Sequence, residues 1–296
     1  MNRSIALTAV VAAGLAFMAV PASADEDAFF ATSLNGANVT QGGDDDGGAV
    51  AFVGVKGDQV SFAIEFHDIA IPTSGDLHKG AKGSDGDSKI SFFTTPLLTG
   101  RDSVSGTVRV TDQKLLDDLR TAPGDFYVDL HNRPFPQGAV RGQVHKTTSA
   151  IDMKRALSQN FAAPVIKGVQ IYACTQQPDG TFAFTQDNVR ASLQRGISHF
   201  FANPGPAGPP EWKSDDDGSA VTGKLISKTA NGDGDIAELD LAATQVGAAS
   251  GLLAQTNEIM RLNTVGGVAP AGPCDPAAQP KAEVPYHADY LFIHAA

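Results

Sequence analysis

Apolar and polar side chains alternate with a period of two along much of this chain, and the β-strand is the backbone geometry that turns such a pattern into one dry face and one wet face. In the clearest case Phe126, Val128 and Leu130 alternate with Tyr127, Asp129 and His131. Asn132 to Gly138, with two prolines and a glycine, supplies a turn. The return strand sets Val140, Gly142 and Val144 against Ala139, Arg141, Gln143 and His145. Val60, Phe62, Ile64 and Phe66 repeat the pattern, following a turn at Lys56-Gly57-Asp58. Phe29 to Leu34 and Ala49 to Val55 are further strands, whereas Pro72 to Asp87, rich in Gly, Asp and Ser, reads as a long loop. Thr111 is placed to cap a short helix that runs to Leu119 and stops before Pro123-Gly124.

The pattern lapses from Thr147 to Lys167 and resumes after Gly168 with Val169 to Cys174, Phe182 to Phe184 and Ile197 to Phe201, punctuated by Gly, Pro and Asp clusters. Ser250 to Met260 has a helical alternative, with strand preferred. The expectation is an all-β protein of two domains, each a β-sandwich or barrel of short, mostly antiparallel strands, with a short helix in the first. The boundaries are a leader at 1–24, a first domain at 28–146, a linker at 147–167 and a second domain at 168–296, the halves folding independently.

Residues 1–24 combine Arg3, an apolar run from Ile5 to Val20, Pro21 and Ala22-Ser23-Ala24, which reads as a secretory signal peptide cleaved after Ala24. No later stretch is apolar for long enough to span a bilayer. The formal charge of −11 becomes more negative still without Arg3, and such a chain repels nucleic acid and anionic lipid. Export permits oxidation, so the only two cysteines, Cys174 and Cys274, are read as a disulfide, with two buried free thiols as the alternative. Asn38-Val39-Thr40 is a glycosylation sequon, relevant in a eukaryotic host.

The run Tyr127-x-x-x-His131 followed by Pro136-x-Gly138-x-x-Arg141-Gly-Gln143 resembles the closing hairpin of the CHRD domain, the repeated module of chordin, and the likeness extends over residues 28 to 146. From Gly168-Val-Gln-Ile-Tyr172-x-Cys174 onward a second likeness appears. His199, Trp212, Asp217-Gly-Ser219, Arg261-x-x-Thr264, Cys274 and Val284-Pro-Tyr-x-Ala-Asp-Tyr290-x-Phe292 resemble the DUF3455 family of secreted proteins. Neither family carries an agreed activity.

The CHRD resemblance sets His78 and His131 where that family keeps histidines. With Asp76 they offer an N/O site suited to Cu or Zn, against the plainer reading of a histidine pair that steadies loop against hairpin. The carboxylates of Asp44 to Asp46, Asp85 with Asp87, Asp215 to Asp217, and Asp233 with Asp235 are ligand types for weak Ca²⁺, although none fits an EF-hand loop and solvated turns account for them more simply. The DUF3455 resemblance marks His199, Trp212, Arg261 and Tyr290 as a possible pocket for a small anion or sugar, with Arg261 paired to Asp289 as the structural alternative. G-x-S-x-G, H-E-x-x-H and a strand-borne G-x-G-x-x-G are all missing. The expected function is therefore an exported, non-catalytic binding or structural protein with an extracellular ligand or protein partner. The alternative is a metal-dependent redox or hydrolytic enzyme that uses the histidines.

Overall fold

The computed structural model describes residues 26–206 and 208–296, so the expected leader lies outside the described residues. The first domain contains β1 (Ala28–Asn35), β2 (Gly48–Lys56), β3 (Gln59–His67), β4 (Pro72–Lys79), β5 (Ser88–Phe93), β6 (Ser103–Arg109), helix α1 (Gln113–Thr121), β7 (Phe126–Asn132), β8 (Val140–Gln143) and β9 (His145–Lys146). These strands form one antiparallel sheet in the order β5-β4-β7-β8-β1-β2-β3-β6, with β9 also paired to β1. The sheet curls on itself. Phe62 of β3 stacks on Phe92 of β5 with ring centroids 4.7 Å apart, although the two strands lie near opposite ends of the order. Leu115, Leu116 and Leu119 of α1 fill the same interior. The helix is capped by Asp112, whose carboxylate accepts from Leu115 N at 3.0 Å, and not by Thr111.

The region read as a long loop is in large part the strand β4, paired to β5 on one side and β7 on the other. Its composition hid it. Leu77 faces the core, polar residues fill the opposite face, and Gly75 leaves room for the Phe93 ring and the Leu130 side chain to lie against the backbone.

After helix α2 (Ala156–Gln159) come β10 (Phe161–Gln176), β11 (Phe182–Leu193), β12 (Ile197–Phe201), β13 (Pro210–Ser214), β14 (Ala220–Thr229), β15 (Glu238–Gln245), β16 (Glu258–Gly266) and β17 (Lys281–Ile293). Each pairs with the next and β17 returns to β10, which closes an eight-stranded up-and-down barrel. Several strands are long, β10 reaching 16 residues, where short ones were expected. This strand starts at Phe161, inside the stretch read as a linker. Its pairing with β17 shifts register between Pro164 and Val169, and that irregularity breaks the alternation. The segment Ser250–Met260 is neither one helix nor one strand. Its first part turns, with Leu253 fully buried in the barrel core, and β16 begins at Glu258.

Cys174 and Cys274 are joined in a disulfide, with Cα atoms 5.9 Å apart. The bond ties the β16–β17 connection to the end of β10, and Cys274 N also donates to Phe182 O at 3.1 Å. The sequon is structurally engaged, because Asn38 Nδ2 donates to Arg141 O at 3.1 Å and to Asn263 Oδ1 at 2.9 Å.

A third apolar cluster joins the domains. Ala31, Val50, Phe52 and Ala63 on the outer face of the first sheet pack with Met260, Leu262, Leu291 and Ile293 on the outside of the barrel, and Ile151 and Ala156 of the connection lie among them. This explains why β2, GAVAFVGV, lacks alternation: it is buried on both faces. Polar contacts flank the cluster. Asp289 Oδ2 accepts from Ser33 Oγ and Asn263 Nδ2, each at 2.8 Å, while Glu258 accepts from Thr148 N at 3.0 Å and Ser149 N at 2.6 Å.

With a shared core of this kind, calorimetry of the full chain should show one unfolding transition. Phe52→Ala should destabilise it by about 3–5 kcal/mol while keeping it single. Two resolved transitions would restore the picture of independent halves.

Asp240 sits beside Glu258 at this junction, and burial together with that neighbouring charge pushes its carboxyl up to about 7. Folded protein therefore keeps a proton that the unfolded chain has already lost above its ordinary 3.8, and this group makes stability fall as pH rises from about 4 to 7. Asp240→Asn should flatten that fall, seen as a smaller loss of denaturation midpoint between pH 5 and pH 8 than in the parent. An unchanged difference would contradict the assignment.

Candidate functional site

Strands β4, β7 and β8 lie side by side, with Asp76 opposite Asp129, His78 opposite Tyr127 and Ser74 opposite His131. The face expected to be wet thus gathers Asp76, His78, Tyr127, Asp129, His131, Arg141 and Gln143. Much of it is nevertheless buried, Tyr127, Asp129 and Arg141 among the residues covered. The cover is the segment from Gly80 to Asp87, and Arg141 holds it. Its guanidinium lies 3.5 Å from the centroid of the Tyr127 ring, donates to Ser84 O at 2.7 Å and Ala81 O at 3.2 Å, and pairs with Asp85 Oδ1 at 3.1 Å. Gln143 Nε2 adds a bond to Gly80 O at 2.9 Å. Gly86 approaches β4 so closely that a Cβ there would collide with the Lys79 carbonyl.

That segment orients His78. Its Nδ1 bonds to Gly86 O at 2.9 Å, and a carbonyl only accepts, so Nδ1 carries the proton and Nε2 presents its lone pair. His78 Nε2 is buried without a hydrogen-bond partner. The ring stacks on Tyr127 at 4.8 Å. His131 is held in the same tautomer by Pro136 O at 3.3 Å, and burial keeps its pKa below the usual histidine value, partly offset by the Asp76 charge. Asp76 Oδ1 accepts from Ser88 Oγ at 2.9 Å. One donor atom each from Asp76, His78 and His131 lies within 4.8 Å of the others, and among the described residues this is the group that meets such a criterion. The expected loop ligands are therefore strand ligands, all three on adjacent strands.

Asp129 was not singled out from the sequence, although Asp-x-His in one strand puts it on this face. Burial raises its carboxyl to about 8, and Oδ1 has no partner. Several of the carboxylates considered for Ca²⁺ accept from protein donors instead. Asp217 is pulled down to about 2, first by the Ser219 hydroxyl and then by the Leu252 and Ser219 amides; Asp215 takes Ser198 Oγ at 2.9 Å; and Asp235 takes Gly266 N at 2.6 Å.

In the barrel, His199, Trp212, Arg261 and Tyr290 all line one partly open pocket of about 610 Å³. His199 and Trp212, cross-strand neighbours, stack at 4.3 Å with nearly parallel rings, and Tyr290 meets both edge-on. His199 Nδ1 bonds to Glu211 O at 2.9 Å, and burial lowers its pKa to about 3, so the ring is neutral. Arg261 does not pair with Asp289. It donates through Nη2 and Nε to Ala237 O at 2.7 and 3.2 Å, while Asp289 faces the first domain. The cause is strand parity: Arg261 lies opposite Tyr290, and the adjacent Leu262 lies opposite Asp289.

The architecture is thus that of a two-domain, all-β protein with a polar strand face in one half and a closed barrel with a pocket at one end in the other. A CHRD domain model matches residues 30–144, and a model described as a protein of unknown function, DUF3455, matches residues 190–294, so the chain carries a CHRD domain followed by a DUF3455 domain. No curated protein and no solved structure matches it. Among the described residues no helix is long and apolar enough to cross a membrane.

Arg141→Ala should release the covering segment, read as faster hydrogen exchange at Gly80, Ser84 and Gly86 with β1–β3 unaffected. Unchanged protection at those amides would show that Arg141 does not hold the cover.

Proposed function

We propose that this is an exported, non-catalytic binding protein whose CHRD domain holds one Zn²⁺ or Cu²⁺ through Asp76 Oδ, His78 Nε2 and His131 Nε2. The observation that carries the reading is the pinned tautomer of both histidines. Each gives its Nδ1 proton to a backbone carbonyl, the arrangement that orients an imidazole ligand and raises its basicity. Two nitrogens and a carboxylate suit Zn²⁺ or Cu²⁺ better than Ca²⁺, which prefers an all-oxygen shell. Donors around a tetrahedral ion stand about 3.3 Å apart when each bond is about 2.0–2.1 Å, so the group contracts on binding. Export is supported by the apolar leader in the sequence and by the disulfide.

Calorimetric titration of the full chain with Zn²⁺, Cu²⁺ and Ca²⁺ tests the site. One equivalent of Zn²⁺ or Cu²⁺ should bind, Ca²⁺ should bind far more weakly, and a His78→Ala, His131→Ala double variant should lose about a hundredfold or more in affinity because a lone carboxylate remains. Equal affinity in parent and variant would remove the proposal. Lower thermal stability with unchanged metal affinity would show that the two rings only tie β4 and β7 to the neighbouring loops.

A further inference from the structure

We propose that the barrel cavity is a second, independent binding site, one for a small organic carboxylate with an apolar or aromatic body. A closed barrel of eight strands has an interior that either fills with its own side chains or holds one small ligand. Here side chains fill most of the interior, and a partly open pocket of about 610 Å³ enters it from one end, within the range of small-molecule sites. The connections at one end, around residues 177–181, 202–206, 230–237 and 267–280, surround the mouth, with Pro206, Phe201 and Lys228 on its lining. The opposite end is plugged by Leu253, which is fully buried, and the disulfide fastens the last of the mouth connections to the first strand.

The character of the ligand follows from which groups line the cavity and which of them lack partners. Trp212, Tyr290, Val189 and Leu241 provide apolar and aromatic wall. Two deeply buried donors have no acceptor: Trp212 Nε1, in a residue 1% exposed, and Gln170 Nε2, in a residue 4% exposed. Leaving such donors unpaired is costly, and an oxygen of a bound molecule would satisfy them. Arg261 commits Nε and Nη2 to Ala237 O and keeps donor capacity on Nη1. The charged residues on the lining are Arg261 and Lys228, with no carboxylate among them. In a chain with formal charge −11 this is a local reversal of sign. Unsatisfied donors and the Arg261 guanidinium within an apolar wall, with Lys228 at the exposed rim, select an acceptor that is negatively charged at one end and apolar over the rest. The neutral His199 adds an aromatic surface without further charge.

Trp212 is the only tryptophan in the sequence, so its emission reports on the cavity directly. The full chain is titrated at neutral pH with decanoate and 3-phenylpropionate, and with decanol and 3-phenylpropanol as uncharged partners. Saturable changes in Trp212 fluorescence are expected for the acids, with the alcohols weaker by about tenfold or more. Arg261→Gln should weaken acid binding by about tenfold and leave the alcohols unchanged, which separates charge recognition from loss of shape. Should that variant fail to fold, Lys228→Gln on the exposed rim decides, with acids weakened severalfold and alcohols unaffected. Acids that do not bind below about 1 mM, or acids and alcohols that bind equally in the parent, would overturn the proposal.

Discussion

Arg141 is the contact on which the polar face of the first domain depends. Only 2% exposed, it lies against Tyr127 and bonds to two carbonyls of the segment that crosses above β4, β7 and β8. That clamp, together with the Tyr127 hydroxyl that donates to Gly86 O at 3.2 Å, positions the carbonyl that sets the tautomer of His78. A buried guanidinium is expensive to desolvate, and here backbone oxygens and the face of an aromatic ring repay much of that cost. The ion pair with Asp85 is secondary, because Asp85 remains largely exposed. The clamp thus converts an otherwise wet strand face into a covered site with oriented nitrogen donors.

The two domains meet through apolar surface that neither can leave in water. β2 is the clearest sign, since its successive residues alternate between the core of its own sheet and the outside of the barrel. Hydrogen bonds at the edges of this seam give it register. Asp289 and Asn263 receive β1 on one side, and Glu258 receives the connecting segment on the other. Burial of Asp240 beside Glu258 makes the junction sensitive to proton activity in a way that a purely apolar interface would not be.

Much of this was legible in the chain itself, and the rest was hidden for identifiable reasons. The β7–β8 hairpin and strand β3 followed from alternation and turn residues, β2 from an apolar run ahead of a turn, and the cysteine pair from number and compartment. Strand β4 was missed because Gly75, Asp76 and Ser74 are loop-type residues whose role here is set by their neighbours. The start of β10 was missed because a register shift erased its period. Asp76, His78 and His131 were named together from the sequence, but on a mobile loop and a strand, whereas adjacent strands hold all three. Closure of the barrel, and therefore the meeting of His199, Trp212, Arg261 and Tyr290, depends on pairing between β10 and β17, a long-range fact that no local pattern encodes. Arg141 and Asp129 stood in plain view, but their burial comes from a segment distant in sequence.

The proposed metal site on this strand face rests on two imidazoles with fixed tautomers and one carboxylate. X-ray absorption at the zinc edge of the full chain loaded with one equivalent of Zn²⁺ tests it most directly, because it reads the donors themselves. Zinc held there should show a four-coordinate shell of two imidazole nitrogens and oxygens at about 2.0–2.1 Å, with the outer-ring scattering of histidine present. A six-coordinate oxygen shell without imidazole scattering would contradict it.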